Sequence, residues 1–228
     1  MAAGSPILST SERVPRTLVV LSAGNKLARL LWAVVYVLLY RPSPRLLHGW
    51  RRMLLRLFGA RIGAGAHPCP RARIWAPWNL VMEPGSGLAD DVDCYSVALI
   101  HIGREATVSQ YSYLCTASHD PDVPGLPLVA APIRIGDRAW VGADVFVAPG
   151  VSIAEGAVVG ARSTVLGNVG TGEIVGGEVG LHRERRELAR FVPLSVAARR
   201  GYLAVLALQA AALAAPLATY MVSVIRST

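Results

Sequence analysis

From Ile62 to Val165 the aliphatic positions recur every six residues. Ile135, Val141, Val147, Ile153, Val159 and Val165 keep that interval without a break. Ile102, Val108 and Leu114 hold it upstream, and Ile62, Ile74 and Leu80 stand at multiples of six with Pro68 at the missing step. Glycine follows the aliphatic residue at Gly63, Gly103, Gly136, Gly142 and Gly160. An α-helix repeats at about 3.6 residues and a flat strand at about 2, so neither produces this pattern. A solenoid does, if each unit forms one side and one turn of a triangular coil and about 18 residues close the coil. The inward aliphatic side chain then stacks on its counterpart one coil away, and no coil is stable alone. The reading is a mainly β chain with a parallel β-helix over residues 62–169.

The regions outside this repeat read differently. Residues 1–24, with Gly4, Pro6 and Pro15, have the pattern of a flexible tail. Residues 25–61 read as two helices. Asn25 is a candidate N-cap, and Leu27–Tyr40 is apolar on nearly every face apart from Arg29, yet at about 14 residues it is too short to span a bilayer. Pro42 and Pro44 end it. The second helix, His48–Phe58, places Trp50, Met53, Leu54, Leu57 and Phe58 on one side and Arg51, Arg52 and Arg56 on the other, with Gly59 closing it. This pair serves as an N-terminal helical cap on the solenoid, as an interfacial membrane anchor, or as both. Residues 170–200 pass from Gly-rich to Arg/Glu-rich, a loop followed by a basic helix from about His182. Residues 201–225 carry no charge and form a C-terminal hydrophobic helix long enough to cross a bilayer. The alternative for that segment is an Ala-rich helix against the solenoid or a neighbouring subunit.

Charge and composition sharpen the membrane reading. The chain is 53% hydrophobic, with a mean hydropathy of +0.42 and a formal net charge of +8. Lys26 is its only lysine, and the arginines cluster at 41–73 and 183–200, beside apolar runs. That arrangement suits an anionic membrane surface. It lacks the interleaved aromatics or motif expected for nucleic acid, so no nucleic-acid partner is expected. With arginines before residue 201 and only Arg226 after the apolar run, the β-helix is expected on the cytoplasmic face of the membrane, possible anchorage coming from 201–225. Cys69, Cys94 and Cys115 are odd in number, form no CxxC and have no histidine at zinc-ligand spacing, so neither disulfides nor a metal is expected. Residues 1–17 lack the order of a signal peptide. A zinc-dependent solenoid enzyme would need three converging histidines, and only His101 and His119 lie in the later coils.

The repeat breaks once, between Leu114 and Ile133, where residues 115–132 hold four prolines and a glycine. A loop ejected from a rigid scaffold is a common place for function. His119 opens it, beside Ser118 and Asp120. Acyl transfer from a thioester needs a base to take the acceptor hydroxyl's proton and backbone N–H groups to face the oxyanion. A near-neutral imidazole suits the first task and solenoid turns suit the second. The plainer alternative is that His119 caps a turn that Asp120 begins.

Four segments together carry a family resemblance: RPSPRLLHGWRRMLLRLFGARIG (41–63), VDCYSVALIHIG (92–103), QYSYLCTASHD (110–120) and APIRIGDRAWVGADVFVAPGVSIAEGAVVGARS (131–163). Residues 25–165 resemble the left-handed β-helix, hexapeptide-repeat acyltransferases, most closely the colanic-acid-type O-acetyltransferases of exopolysaccharide synthesis. The resemblance implies a left-handed coil and a homotrimer with active sites in the clefts between solenoids. It implies acetyl-CoA as donor and a sugar hydroxyl as acceptor, in a free or lipid-linked oligosaccharide. It makes His119 the matching base. It aligns Asp93, Tyr95 and Asp120 with the acceptor, Trp140, Gly142 and Ala143 with the pantetheine arm (the Ala143 N–H facing the oxyanion), and Gly160 and Ala161 with the arm's continuation. The chain departs from the family after Ser163. Leu166-Gly167-Asn168 and Gly177-Glu178-Val179-Gly180 replace a lysine-bearing turn and an Asn-Pro stretch that lead to CoA-phosphate contacts, leaving Arg183, Arg185 and Arg186 as stand-ins or, as the preferred reading, as part of a solvated or membrane-facing charged helix. That departure motivates the alternative of a non-catalytic, membrane-tethered β-helix scaffold that has lost CoA binding.

Overall fold

The computed structural model describes residues 17–19, 22–120 and 123–179. Residues 62–179 wind into a parallel β-solenoid whose short strands stack into three faces, two of six strands and one of five. The first face is extended to the last coil by a bridge between Ile153 and Val169. Its inward column is Ile62, Met82, Ile102, Ile135 and Ile153. The second face stacks Pro68, Leu88, Val108, Val141, Val159 and Val175. The third stacks Ile74, Cys94, Leu114, Val147, Val165 and Val179. Most of these side chains are fully buried and form one continuous core. This is the burial that a six-residue unit cannot achieve alone.

Glycine after the inward residue is a steric requirement at these corners. A Cβ on Gly63 would lie 2.4 Å from Pro84 N, one on Gly136 2.5 Å from Glu155 N, and one on Gly142 2.7 Å from Val159 O. The backbone of the next coil passes through the space a side chain would need.

The structure corrects two boundaries of the repeat. Leu80 is buried, but its partner is Ile100, while Met82 pairs with Ile102 in the main column. The 3₁₀ turn Pro77–Asn79 adds residues at this corner, and the first face carries a second buried column of Leu80, Ile100 and Ile133. The solenoid also runs past residue 169. Strands Ile174–Val175 and Glu178–Val179 add rungs to the second and third faces, so the stretch expected to be a loop is the closing coil. Shortened corners hide it: Val165, Val169, Val175 and Val179 stand four, six and four apart.

Two helices close the N-terminal end. The first, α1, spans Ala23–Val35 and continues as a π-helical turn through Tyr36–Tyr40. Its N-cap is Ser22, whose hydroxyl accepts from the Asn25 N–H at 3.2 Å; Asn25 instead accepts from Arg29, so the cap lies three residues before its expected position. The second helix, α2, spans His48–Leu57, and Gly59 leaves it with φ +84°. Trp32, Tyr36, Tyr40 and Phe58 form an aromatic cluster, and Trp32 Nε1 donates to Ile74 O at 2.7 Å. The helical pair is therefore a cap on the core.

Arg51 overturns the expected polar side of α2. It is fully buried and donates to the carbonyls of Pro68 (2.7 Å), Pro44 (2.8 Å) and Arg45 (2.6 Å) and to Ser43 Oγ (2.9 Å). A guanidinium with five fixed donors satisfies a knot of loop carbonyls that an aliphatic residue would leave unpaired. The apolar side read for α2 is split: Leu54 is buried, while Trp50, Met53 and Leu57 are exposed.

Within the stretch 115–132 the described residues include an antiparallel pair of strands, the hairpin that carries His119. Ala117–His119 pairs with Leu128–Ala130, and Thr17–Leu18 pairs with the hairpin's outer strand. Thr17–Leu18, expected within a flexible tail, is thus the third strand of a small sheet. Its signal is short because two residues suffice for the ladder. The basic helix expected from His182 and the hydrophobic helix expected over 201–225 lie outside the described residues, as do Arg183, Arg185 and Arg186. Among the described residues no helix is long and apolar enough to cross a membrane.

Candidate functional site

The hairpin is rooted in Thr116, a residue that sequence reasoning passed over. The Thr116 hydroxyl donates to Tyr95 O at 2.6 Å and accepts from Ala98 N–H at 2.9 Å, while its carbonyl accepts from Ala131 N–H at 2.9 Å. Thr116 is fully buried and ties both hairpin strands to the third face. A buried Thr in an aliphatic repeat is the one signal that could have marked it, because its hydroxyl must find partners.

His119 ends the inner hairpin strand, opposite Leu128, and is exposed. Its Nδ1 lies 2.5 Å from Leu126 O. A carbonyl only accepts, so Nδ1 carries the proton and Nε2 presents its lone pair outward. Leu126 is held for this contact by a turn. It has φ +47°, and its N–H donates to Val123 O at 3.1 Å. Asp120 N–H donates to Pro127 O at 3.0 Å and closes the strand beyond the histidine.

On the outer side of the third face, Trp75, Tyr95, Tyr113 and Phe146 form a run of aromatic neighbours with centroid separations of 5.5, 6.3 and 5.7 Å. Only Tyr95 was read from the sequence. The others stand on adjacent rungs, and their proximity depends on register. Asp93 lies beside this run and pairs with Arg73 at 3.2 Å. Burial raises the Asp93 pKa above the ordinary carboxylate value, and Arg73 opposes that rise. Arg29 of α1 sits 4.3 Å over the Trp75 ring. Arg29, Trp32, Tyr36, Arg73, Trp75 and Asp93 line a groove of about 400 Å³ between α1 and the third face. Asp93 lines this groove, and Tyr95 belongs to the aromatic run that meets it at Trp75.

The residues aligned with the pantetheine arm form a second group. Trp140 lies on the outer side of the second face, about half exposed, with Nε1 donating to Ser109 Oγ at 2.9 Å. Gly142 and Ala143 turn the corner into the third face, and Gly160 and Ala161 turn the same corner one coil later. The Ala143 carbonyl accepts from Arg162 N–H at 2.8 Å, linking the two turns. The corner therefore carries small residues on two successive coils, with the Trp140 indole on the face leading into it. The His119 hairpin leaves the third face at its other edge, towards the first face. One chain therefore places Asp93 and Tyr95 on the third face, His119 and Asp120 on the hairpin, and Trp140, Gly142, Ala143, Gly160 and Ala161 at or beside the opposite corner. His101, on the first face, pairs with Glu83 at 3.3 Å. Among the described residues no group of three His, Cys, Asp or Glu side chains could hold a metal.

The bacterial transferase hexapeptide (six repeats) family matches residues 132–167. The colanic acid biosynthesis acetyltransferase WcaF of Escherichia coli (strain K12) is 45% identical over 143 residues, covering 63% of this chain and 79% of the relative. The lipopolysaccharide biosynthesis O-acetyl transferase WbbJ of the same organism is 31% identical over 100 residues, covering 39% of this chain and 51% of that one. Among solved structures, the hexapeptide-repeat acetyltransferase VCA0836 of Vibrio cholerae superposes with a TM-score of 0.64 at 24% identity, covering 69% of this chain and 89% of that one. A galactoside acetyltransferase in complex with coenzyme A gives a TM-score of 0.55 at 20% identity, covering 68% and 79%. The two structures carry the fold: a solenoid on which acetyltransferases are built.

Proposed function

The chain belongs to the hexapeptide-repeat acetyltransferase family of WcaF, and from that premise we propose that it moves acetyl from acetyl-CoA to a sugar hydroxyl during exopolysaccharide or cell-surface glycan synthesis. His119 is the general base. The observation that carries this role is the 2.5 Å contact of Nδ1 with Leu126 O, which leaves Nε2 as the acceptor of a proton. As the sugar oxygen attacks the thioester carbonyl, Nε2 takes its proton. The new C–O bond makes a tetrahedral oxyanion facing the Ala143 N–H. The C–S bond then breaks, and the imidazolium returns its proton to the departing thiolate. Asp93, Tyr95 and Asp120 hold the acceptor, and the Trp140 corner with Gly142, Gly160 and Ala161 holds the arm of acetyl-CoA.

The separation of His119 from the Trp140 corner within one chain supports a homotrimer in which a neighbour's hairpin completes each site. The 45% identity to the acetyltransferase WcaF over 143 residues supports the enzyme over the scaffold alternative. The apolar segments favour a lipid-linked oligosaccharide as acceptor, met at the cytoplasmic face of a membrane.

Co-expression of two inactive variants tests the shared cleft. Neither His119→Ala nor Ala161→Trp, the latter blocking the exposed corner, should transfer acetyl alone, and their hybrid trimers should regain a measurable fraction of the rate. Mass spectrometry of acetylated oligosaccharides, free and undecaprenyl-linked, reads the product. An inactive hybrid of trimeric mass would reject the shared site, and a fully active His119→Ala would reject the base.

A further inference from the structure

The helical cap has two apolar faces and uses one. On α1 and its π-helical continuation, Trp32, Val35, Tyr36 and Tyr40 turn to the solenoid core. Leu27, Leu30, Leu31, Val34, Val37 and Leu38 turn away from it, at the i, i+3, i+4, i+7 spacing of a second stripe. Leu30 is 62% exposed and Leu38 64%. The segment that follows in the same chain continues the stripe. Leu46 is 90% exposed and Leu57 72%, with Trp50 and Met53 between them. Trp50 Nε1 donates to Leu39 O at 3.0 Å, so the two stripes meet. Exposed aliphatic side chains at this density on one surface mark a site of contact.

The charges around that surface select the occupant. No Asp or Glu occurs between Glu12 and Glu83. Lys26, Arg41 and Arg56 are exposed beside the stripe. Arg56 donates to the Ile62 carbonyl, and Arg45 is paired with Asp90 at 2.8 Å. A second copy of this surface would set its cations against these, whereas an anionic headgroup layer accepts both the cations and the leucines. An indole at the rim of such a face suits the interface between headgroups and acyl chains.

We propose that the outer face of the helical cap, from Leu27 to Leu38 on α1 and from Leu46 to Leu57 around α2, docks on an anionic lipid bilayer and holds the solenoid against it. The dock is independent of the acceptor. It would stand if the glycan reading failed, and the glycan reading would stand if the dock failed.

The test places an environment-sensitive nitrobenzoxadiazole label at Leu38→Cys in the full-length chain carrying Cys69→Ser. Vesicles of phosphatidylcholine with about 30% phosphatidylglycerol should shift its emission to the blue and intensify it several-fold, and about 0.5 M salt should weaken the response. A label at Ile174→Cys, exposed on the last coil, should not respond. With the label moved to Leu57→Cys, adding Leu30→Glu and Leu38→Glu should cut vesicle affinity at this site about tenfold. The same variant should keep its melting temperature and its transfer rate onto a water-soluble acceptor. A label at 38 that stays in water while the protein floats with vesicles would assign the anchoring to another segment and overturn the dock. A label already shielded without lipid would mean that a second copy or residues 201–225 cover the face, and would overturn it equally.

Discussion

The strands Ile133–Ile135 and Ala117–His119 belong to the same stretch of chain and are held in opposite ways. Ile133–Ile135 is a rung of the solenoid. Both isoleucines are fully buried, and the strand has a parallel partner on each side. Ala117–His119 projects from the solenoid. Only Ala117 is buried, and the strand pairs with Leu128–Ala130 alone. Inward side chains in the rung are committed to the core, so substitutions there act on stability. The hairpin's outer residues owe little to the core, so a histidine can be aimed by one turn carbonyl, and under the proposed role its substitution is expected to act on chemistry. The difference shows how a repeat fold separates the strands that hold it from a projecting strand free of that task.

The widest separation is expected between His119→Ala and Ile102→Ala. Losing the base should lower the rate of acetyl transfer by about 100- to 10,000-fold with an unchanged melting curve. Losing the buried isoleucine should cost about 2–5 kcal/mol in chemical denaturation while the folded fraction keeps its turnover. If His119→Ala unfolded the chain, or Ile102→Ala removed activity without loss of stability, the division of labour would fail. Deleting residues 1–21 removes the Thr17–Leu18 strand from the hairpin sheet. It should slow transfer by about tenfold through misplacement of His119, with denaturation little changed, because small displacements of a reacting group are costly.

Asp93 sharpens the comparison at the smallest scale. Its pKa is raised in the folded chain, mainly by burial. Protonation is then favoured on folding. The stabilising contribution is full below the unfolded carboxylate pKa and is lost as pH rises through the folded value. Asp93→Asn should therefore modestly raise the melting temperature at neutral pH, flatten its decline through the carboxylate range, and weaken acceptor binding as a higher KM. An unchanged pH profile of stability would remove the burial argument.

Much of the coil was open to inspection along the chain, because stacking forces one aliphatic residue inward per side and glycine at crowded corners. Ile135 through Val165 needed only that rule. Met82 and the coil at 169–179 escaped it because corner lengths of two-residue difference shift the count without disturbing the stack. His119 stood out as the polar residue opening the one break in the repeat. Thr116 and the aromatic neighbours of Tyr95 did not, since a hydroxyl between two coils and four rings on adjacent rungs become partners only through register.

By itself, then, the order of residues determined the solenoid, its helical cap and the place where the repeat opens, for these depend on spacing within a coil. Tertiary structure alone decided that Arg51 turns inward to bind carbonyls while Trp50, Met53 and Leu57 turn outward. It also decided that Thr17–Leu18 supports the His119 hairpin and that His119 and Trp140 stand at different corners of one chain. These depend on which surfaces meet, and a helix with two apolar sides carries no local mark of the side its neighbour will cover.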